Sequence, residues 1–164
     1  MMKRLLCCLL LVNIFSCCNT ALSSADEAGV LKTRFTAVHY SDKKDIADFI
    51  WRLGGQKIEL PADTETASSR IDRLVERVEA ILDMQPKSFR IDIYLRRGLL
   101  ESDRVAFYDR KTRSIYISVD HTSDGVLAHE IAHAVIDRYF SSPLPAKVGE
   151  ILTQYVDKYL WSDY

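Results

Sequence analysis

Residues 114–139 read SIYISVDHTSDGVLAHEIAHAVIDRY, and the pattern changes period half-way along. Ser114 to Val119 is a short run rich in β-branched and aromatic residues, the composition of a strand. From about Asp124 to Tyr139 the apolar residues Leu127, Ile131, Ala134 and Val135 recur at helical spacing. A strand therefore leads directly into a helix, and within that helix two histidines and a glutamate are set among apolar neighbours.

Working outward towards the N-terminus, Val105 to Tyr108 reads as another strand. The polar turn Asp109-Arg110-Lys111-Thr112 can join it to Ser114–Val119 as a hairpin. Phe89 to Leu95 alternates strictly, with Phe89, Ile91, Ile93 and Leu95 against Arg90, Asp92 and Tyr94, so one face of this strand is buried. Ahead of it Ile71, Leu74, Val75, Val78, Ile81 and Leu82 form one helical stripe, and Pro86 stops that helix. The charges Arg70, Asp72, Arg73, Glu76, Arg77 and Glu79 fall on its other side, a solvated face. Pro61 to Thr66 suits the helix start, and Gln56 to Leu60 is a short strand or a loop. Ile46, Phe49, Ile50 and Leu53 predict an earlier helix ending at Gly54-Gly55, and Arg34 to Tyr40 has strand character. His39 reads as a strand residue rather than a ligand, and Trp51 and Trp161 as packing aromatics. Towards the C-terminus, Pro143 and Pro145 break the chain before a last helix from Ala146 to Leu160. The order predicts an α+β fold, with a small, mostly antiparallel sheet packed against helices.

The chain has 164 residues, 48% hydrophobic and 27% charged, which fits one globular domain, expected over residues 26–164. A formal net charge of -1, with no basic stripe, argues against a nucleic-acid partner. Residues 1–25 are different material: a basic start at Lys3-Arg4, an apolar run from Leu5 to Phe15, then small and polar residues. That layout predicts an export signal, and the apolar run is short for a membrane span. Ile14-Phe15-Ser16-Cys17 resembles a lipobox, which would place a lipid anchor on Cys17; cleavage after Ala21 or Ala25 is the alternative. The expected location is the periplasm or cell envelope. All four cysteines (Cys7, Cys8, Cys17 and Cys18) fall in this leader, so no disulfide framework or thiolate ligand is expected in the domain.

Metal chemistry must then rest on His, Asp and Glu. Side chains four apart on a helix share a face, so His129 and His133 can close on one zinc ion. Glu130, on the same open side, is placed to take a proton from water as general base. A catalytic zinc needs a third protein ligand. The acids after His133 are Asp137, Glu150, Asp157 and Asp163. Glu150 is the strongest, at the edge of a buried stripe expected from Ile151, Leu152, Tyr155, Val156 and Tyr159, on a helix that would return antiparallel. Asp137 is either a hydrogen-bond partner for a ligating histidine or, in the preferred reading, a solvent-facing residue.

The segment resembles the gluzincin zinc peptidases, and within them the peptidase MA-like group. The residues that carry the likeness are His129-Glu130-Ile131-Ala132-His133, then Glu150 and Tyr155. It is specific from about Asp103 to Tyr159. Two positions depart from the family pattern: Ile151 follows Glu150 where glycine is usual, and Thr153 stands where a small residue is common. The resemblance implies a zincin-like motif helix followed by a second ligand-bearing helix, with Zn2+ on His129, His133 and Glu150 and with Glu130 as general base. It implies a peptidase acting on a peptide or protein. Tyr155, Tyr139, His121 and Arg113 are candidate oxyanion donors, with Tyr155 more in keeping with the core. The strand Ser114–Val119 is expected to pair with an extended substrate by edge addition. The competing readings are a zinc-binding envelope module without turnover, a cytoplasmic repressor-cleaving metalloprotease, and a structural domain with a chance motif.

Overall fold

The computed structural model describes residues 28–54 and 63–162. Residues 1–27, where the export signal and the Cys17 anchor are expected, the 56–60 segment and Asp163 lie outside the described residues. The described chain is α+β: strands β1 (Gly29–Lys32) and β2 (Thr36–Tyr40), helices α1 (Lys43–Arg52) and α2 (Thr64–Leu82), and strand β3 (Ile91–Arg96). A short 3-10 turn (Glu101–Asp103) leads to strands β4 (Ala106–Asp109) and β5 (Ser114–Ser118), then to helices α3 (Asp124–Tyr139) and α4 (Ala146–Tyr159). Among the described residues no helix is long and apolar enough to cross a membrane.

The five strands form one sheet in the order β1-β2-β3-β5-β4. It is mixed rather than mostly antiparallel. β1–β2 and β4–β5 are antiparallel, whereas β2–β3 and β3–β5 are parallel. The connection from β2 to β3 carries two helices, long enough to bring the chain back in the same direction. The β4–β5 hairpin then places β5, not β4, beside β3. This removes the expected substrate edge, because Ser114–Val119 is interior. The exposed edge on that side is β4.

One face of the sheet is apolar and lies under the helices. Val38, Ile93 and Ile115 are in register across three strands and fully buried. The other face carries a ladder in the same register: His39, Tyr94, Tyr116 and Phe107 stack with ring centroids 4.5, 5.2 and 5.0 Å apart. Their planes are nearly parallel, so ring faces cover one another and ring edges meet solvent. His39 is a strand residue, as expected, and its Nε2 lies 2.7 Å from Asp92 Oδ1.

Local chemistry explains where elements start and stop. The β1–β2 turn is tied by the Thr33 hydroxyl, which accepts from the Phe35 and Thr36 backbone N–H groups at 3.2 and 2.9 Å. Arg34 and Phe35 therefore belong to the turn, and β2 begins at Thr36. Asp42 caps α1 by accepting from the Lys44 N–H at 2.7 Å, and Gly54 follows the helix at φ 67°. Ser123 caps α3 by accepting from the Val126 N–H at 3.3 Å. Ile46, Phe49, Ile50 and Leu53 from α1 and its cap, and Ile71, Val75 and Val78 from α2, enter one apolar cluster with Leu127, Ile131 and Val135 of α3. Each aliphatic side chain so buried contributes about 1.5–3 kcal/mol relative to exposure.

Two expectations about packing are corrected. Trp51 and Trp161 are exposed rather than packed. On α4 the buried residues are Thr153 and Val156, followed by Leu160, with Leu152 and Tyr159 partly covered. Ile151 is 56% and Tyr155 48% exposed, so the stripe is rotated from the expected one and Tyr155 is not core. The reason is Thr153, a polar residue at the centre of the true contact face. Its hydroxyl is satisfied by donating to the Glu150 carbonyl at 3.0 Å, which lets it be buried without penalty.

Candidate metal centre

α3 is fixed by its apolar face, and its remaining side carries His129 and His133 one turn apart. Their rings meet edge to face with centroids 4.9 Å apart. α4 returns across them and brings Glu150 into reach. His133 Nε2 lies 3.5 Å from Glu150 Oε1, and His129 Nε2 lies 4.0 Å from Oε2. One donor atom from each of the three residues falls within 4.8 Å of the others, so His129, His133 and Glu150 form a group that could hold a metal ion. Ligands at zinc-like bond lengths in a tetrahedron stand about 3.3 Å apart, so the cluster fits such an ion after a modest contraction. Glu150 is half exposed and free to make it.

Behind His129 stands a residue that sequence reasoning placed only as a fallback ligand. Asp157 lies with its carboxylate oxygens 3.0 and 3.3 Å from His129 Nδ1. A carboxylate only accepts, so a hydrogen bond there puts a proton on Nδ1 and turns Nε2, the nitrogen a metal would use, towards Glu150. The signal was available: Asp157 is two turns beyond Glu150 and shares its helix face. Asp137, by contrast, neither faces solvent nor meets His129 or His133. It accepts from the Tyr108 hydroxyl at 2.9 Å and from Arg110 Nε at 2.7 Å.

Glu130 is buried at the junction of α3 and β4. Its Oε2 accepts the Tyr108 backbone N–H at 2.7 Å. Burial pushes its pKa up, opposed by the His129 ring and by that N–H, with Glu150 adding to the rise. Burial also pushes the His133 pKa down, and the His129 ring adds to this, so the neutral, ligand-competent imidazole is favoured.

Two cavities meet at Glu130. One, of about 440 Å³, is lined by Arg104, Ala106, His129, Asp157 and Trp161 among others. The second, of about 390 Å³, is lined by Phe107, Tyr108, Arg110, His133 and Glu150. Together they make an open cleft with β4 along one side. Neither cavity includes Tyr155, Tyr139, His121 or Arg113, the donors expected from sequence. The cationic side chains found there are Arg104 and Arg110. The chain matches no protein-family model, and comparisons with curated proteins and with solved structures give no match either.

Proposed function

We propose that the protein is a zinc-dependent peptidase of the gluzincin-like kind, exported to the periplasm or cell envelope. The observation that carries this is the joint arrangement of four acidic and imidazole groups. Glu150 faces both His129 and His133 across two helices, while Glu130 is held by the Tyr108 N–H at the same cleft. Structural ion pairing alone would not require an acid beside the histidines, buried and gripped by a strand.

Zinc, when bound, would polarise a peptide carbonyl and make a water more acidic. The chain's own residues do the rest. Asp157 fixes the His129 tautomer. Glu130, in its ionised form, takes one proton from the water as the water oxygen bonds to the carbonyl carbon. It then gives that proton to the amide nitrogen as the C–N bond breaks, leaving a carboxylic acid and an amine. Burial of Glu130 raises its proton affinity, which suits a group that must both accept and return a proton.

The test is Glu130→Gln in the full chain. Metal content is measured by elemental mass spectrometry, and cleavage is followed by mass spectrometry on a mixed peptide pool. The parent should hold about one zinc per chain and cut peptides. The variant should keep zinc and lose roughly 10²–10⁴ in rate. Zinc without cleavage in the parent favours the binding module. No zinc after reconstitution removes the enzyme reading and leaves the chance-motif account.

A further inference from the structure

We propose that Arg110 receives the substrate's carbonyl oxygen as that oxygen becomes negative; the inference rests on the peptidase reading above. When the water oxygen bonds to the carbonyl carbon, the π pair of the C=O bond moves onto oxygen. Glu130 removes a proton from the water and cannot also hold this charge. A donor aimed at the oxygen, and pre-positioned, lowers the barrier because the interaction strengthens only as charge develops.

Arg110 meets the requirements on the page. It lines the same cavity as Glu130, His133 and Glu150. Its Nε is anchored on Asp137 at 2.7 Å, and Asp137 is itself only 11% exposed and held by the Tyr108 hydroxyl. A guanidinium has five N–H donors, and the Asp137 contact engages Nε. The side chain remains 54% exposed at the cleft, so a substrate oxygen can reach it. The anchor removes much of the rotamer freedom that a long cation otherwise loses on binding. Arg104 is the competitor and fits less well. Its guanidinium lies over the Phe107 ring at 4.1 Å and its Nε donates to the Glu101 carbonyl, and it shares its cavity with His129 rather than with His133 and Glu150. The Tyr108 hydroxyl is committed to Asp137, which makes Tyr108 and Asp137 positioning residues and Arg110 the catalytic one.

The experiment uses the full chain loaded with zinc, as parent, Arg110→Ala and Arg110→Lys. Three quantities are read: zinc content, kcat and KM for a peptide that the parent cleaves, and affinity by calorimetry for a phosphinic peptide whose tetrahedral anionic centre mimics the charged oxygen. Arg110→Ala should keep zinc and change KM little. Its kcat should fall by about 10²–10³, with a parallel loss of phosphinic-peptide affinity. Arg110→Lys should recover part of both. Equal kcat and equal phosphinic affinity in Arg110→Ala and a cleaving parent would overturn the inference and leave the peptidase reading intact. A parent that takes up no zinc or cuts no peptide overturns the peptidase reading, and the inference with it. If Arg110→Ala fails to fold, Arg110→Met, which keeps the length of the side chain and removes its donors, decides: parental kcat and phosphinic affinity overturn the inference, and a drop in both with zinc retained supports it.

Discussion

α3 and α4 each carry half of the candidate site, yet they are held in very different ways. α3 buries Leu127, Ala128, Ile131, Ala132, Ala134, Val135 and Ile136, so its two histidines stand on an element fixed by the core. α4 buries only Thr153 and Val156 along its length and leaves Val148, Ile151 and Tyr155 exposed. Glu150 and Asp157 therefore depend on a lightly packed helix. Folding energy supplies the histidine pair, and the remaining ligand geometry rests on weaker contacts, so a bound ion should be felt most in α4.

The largest effect expected from this contrast is on stability. Val135→Ala on α3 and Val156→Ala on α4 remove the same atoms from fully buried positions; in urea unfolding the α3 variant should cost about 1.5–3 kcal/mol and the α4 variant roughly half as much. Equal costs would mean that α4 is as firmly packed as α3. Next comes metal. Zinc at about one hundred times its Kd should stabilise the chain by about 2.7 kcal/mol. Its gain in amide-exchange protection should concentrate in residues 146–159, and a uniform gain across α3 and α4 would break the comparison.

Asp157→Asn sharpens the contrast within α4. It should weaken zinc binding about 10–100-fold in competition with a chelator while leaving the metal-free unfolding curve in place. A shift of that curve instead would make Asp157 a structural ion pair.

The smallest effect lies away from the site, where Arg97 bonds Asp45, Asp48 and Asp120 at 2.6, 2.8 and 2.9 Å. The Gly98 N–H, and then Arg97, hold the Asp120 carboxyl below the ordinary aspartate range. A depressed folded pKa gives stability that is present above the unfolded value and lost as pH falls through the folded value. Melts taken downward from about pH 4 should therefore lose less stability in Asp120→Asn than in the parent. An unchanged acid limb would place the acid sensitivity elsewhere.

The ends of α3 were legible because its apolar residues keep helical spacing from Asp124 to Tyr139, the observed range. The β4–β5 hairpin was legible from its polar turn, where Asp109 accepts from the Lys111 N–H and the Thr112 hydroxyl. Glu150 was found because an acid at the margin of an apolar face calls for a partner. β1 was missed, since Gly29–Lys32 is four residues at an edge with too little alternation to read. The parallel pairings were not legible either: periodicity tells which face of a strand is buried and nothing about its neighbour. α4 was read with the wrong face because Ile151 and Tyr155 outweighed Thr153 in hydrophobicity, while a satisfied hydroxyl decided the packing. Asp137 was given the wrong partner and Arg110 was passed over because their meeting depends on how β4 lies against α3.

Tyr108 performs two tasks with different chemical demands. Its main-chain N–H grips Glu130, and its phenol holds Asp137. Every amino acid except proline can perform the first, and among the aromatic residues only tyrosine offers the hydroxyl for the second. A library covering all substitutions at this codon should therefore separate into tiers. Proline should stand apart as the intolerable choice, phenylalanine should sit close to the parent in fold, and the small polar residues should fall between.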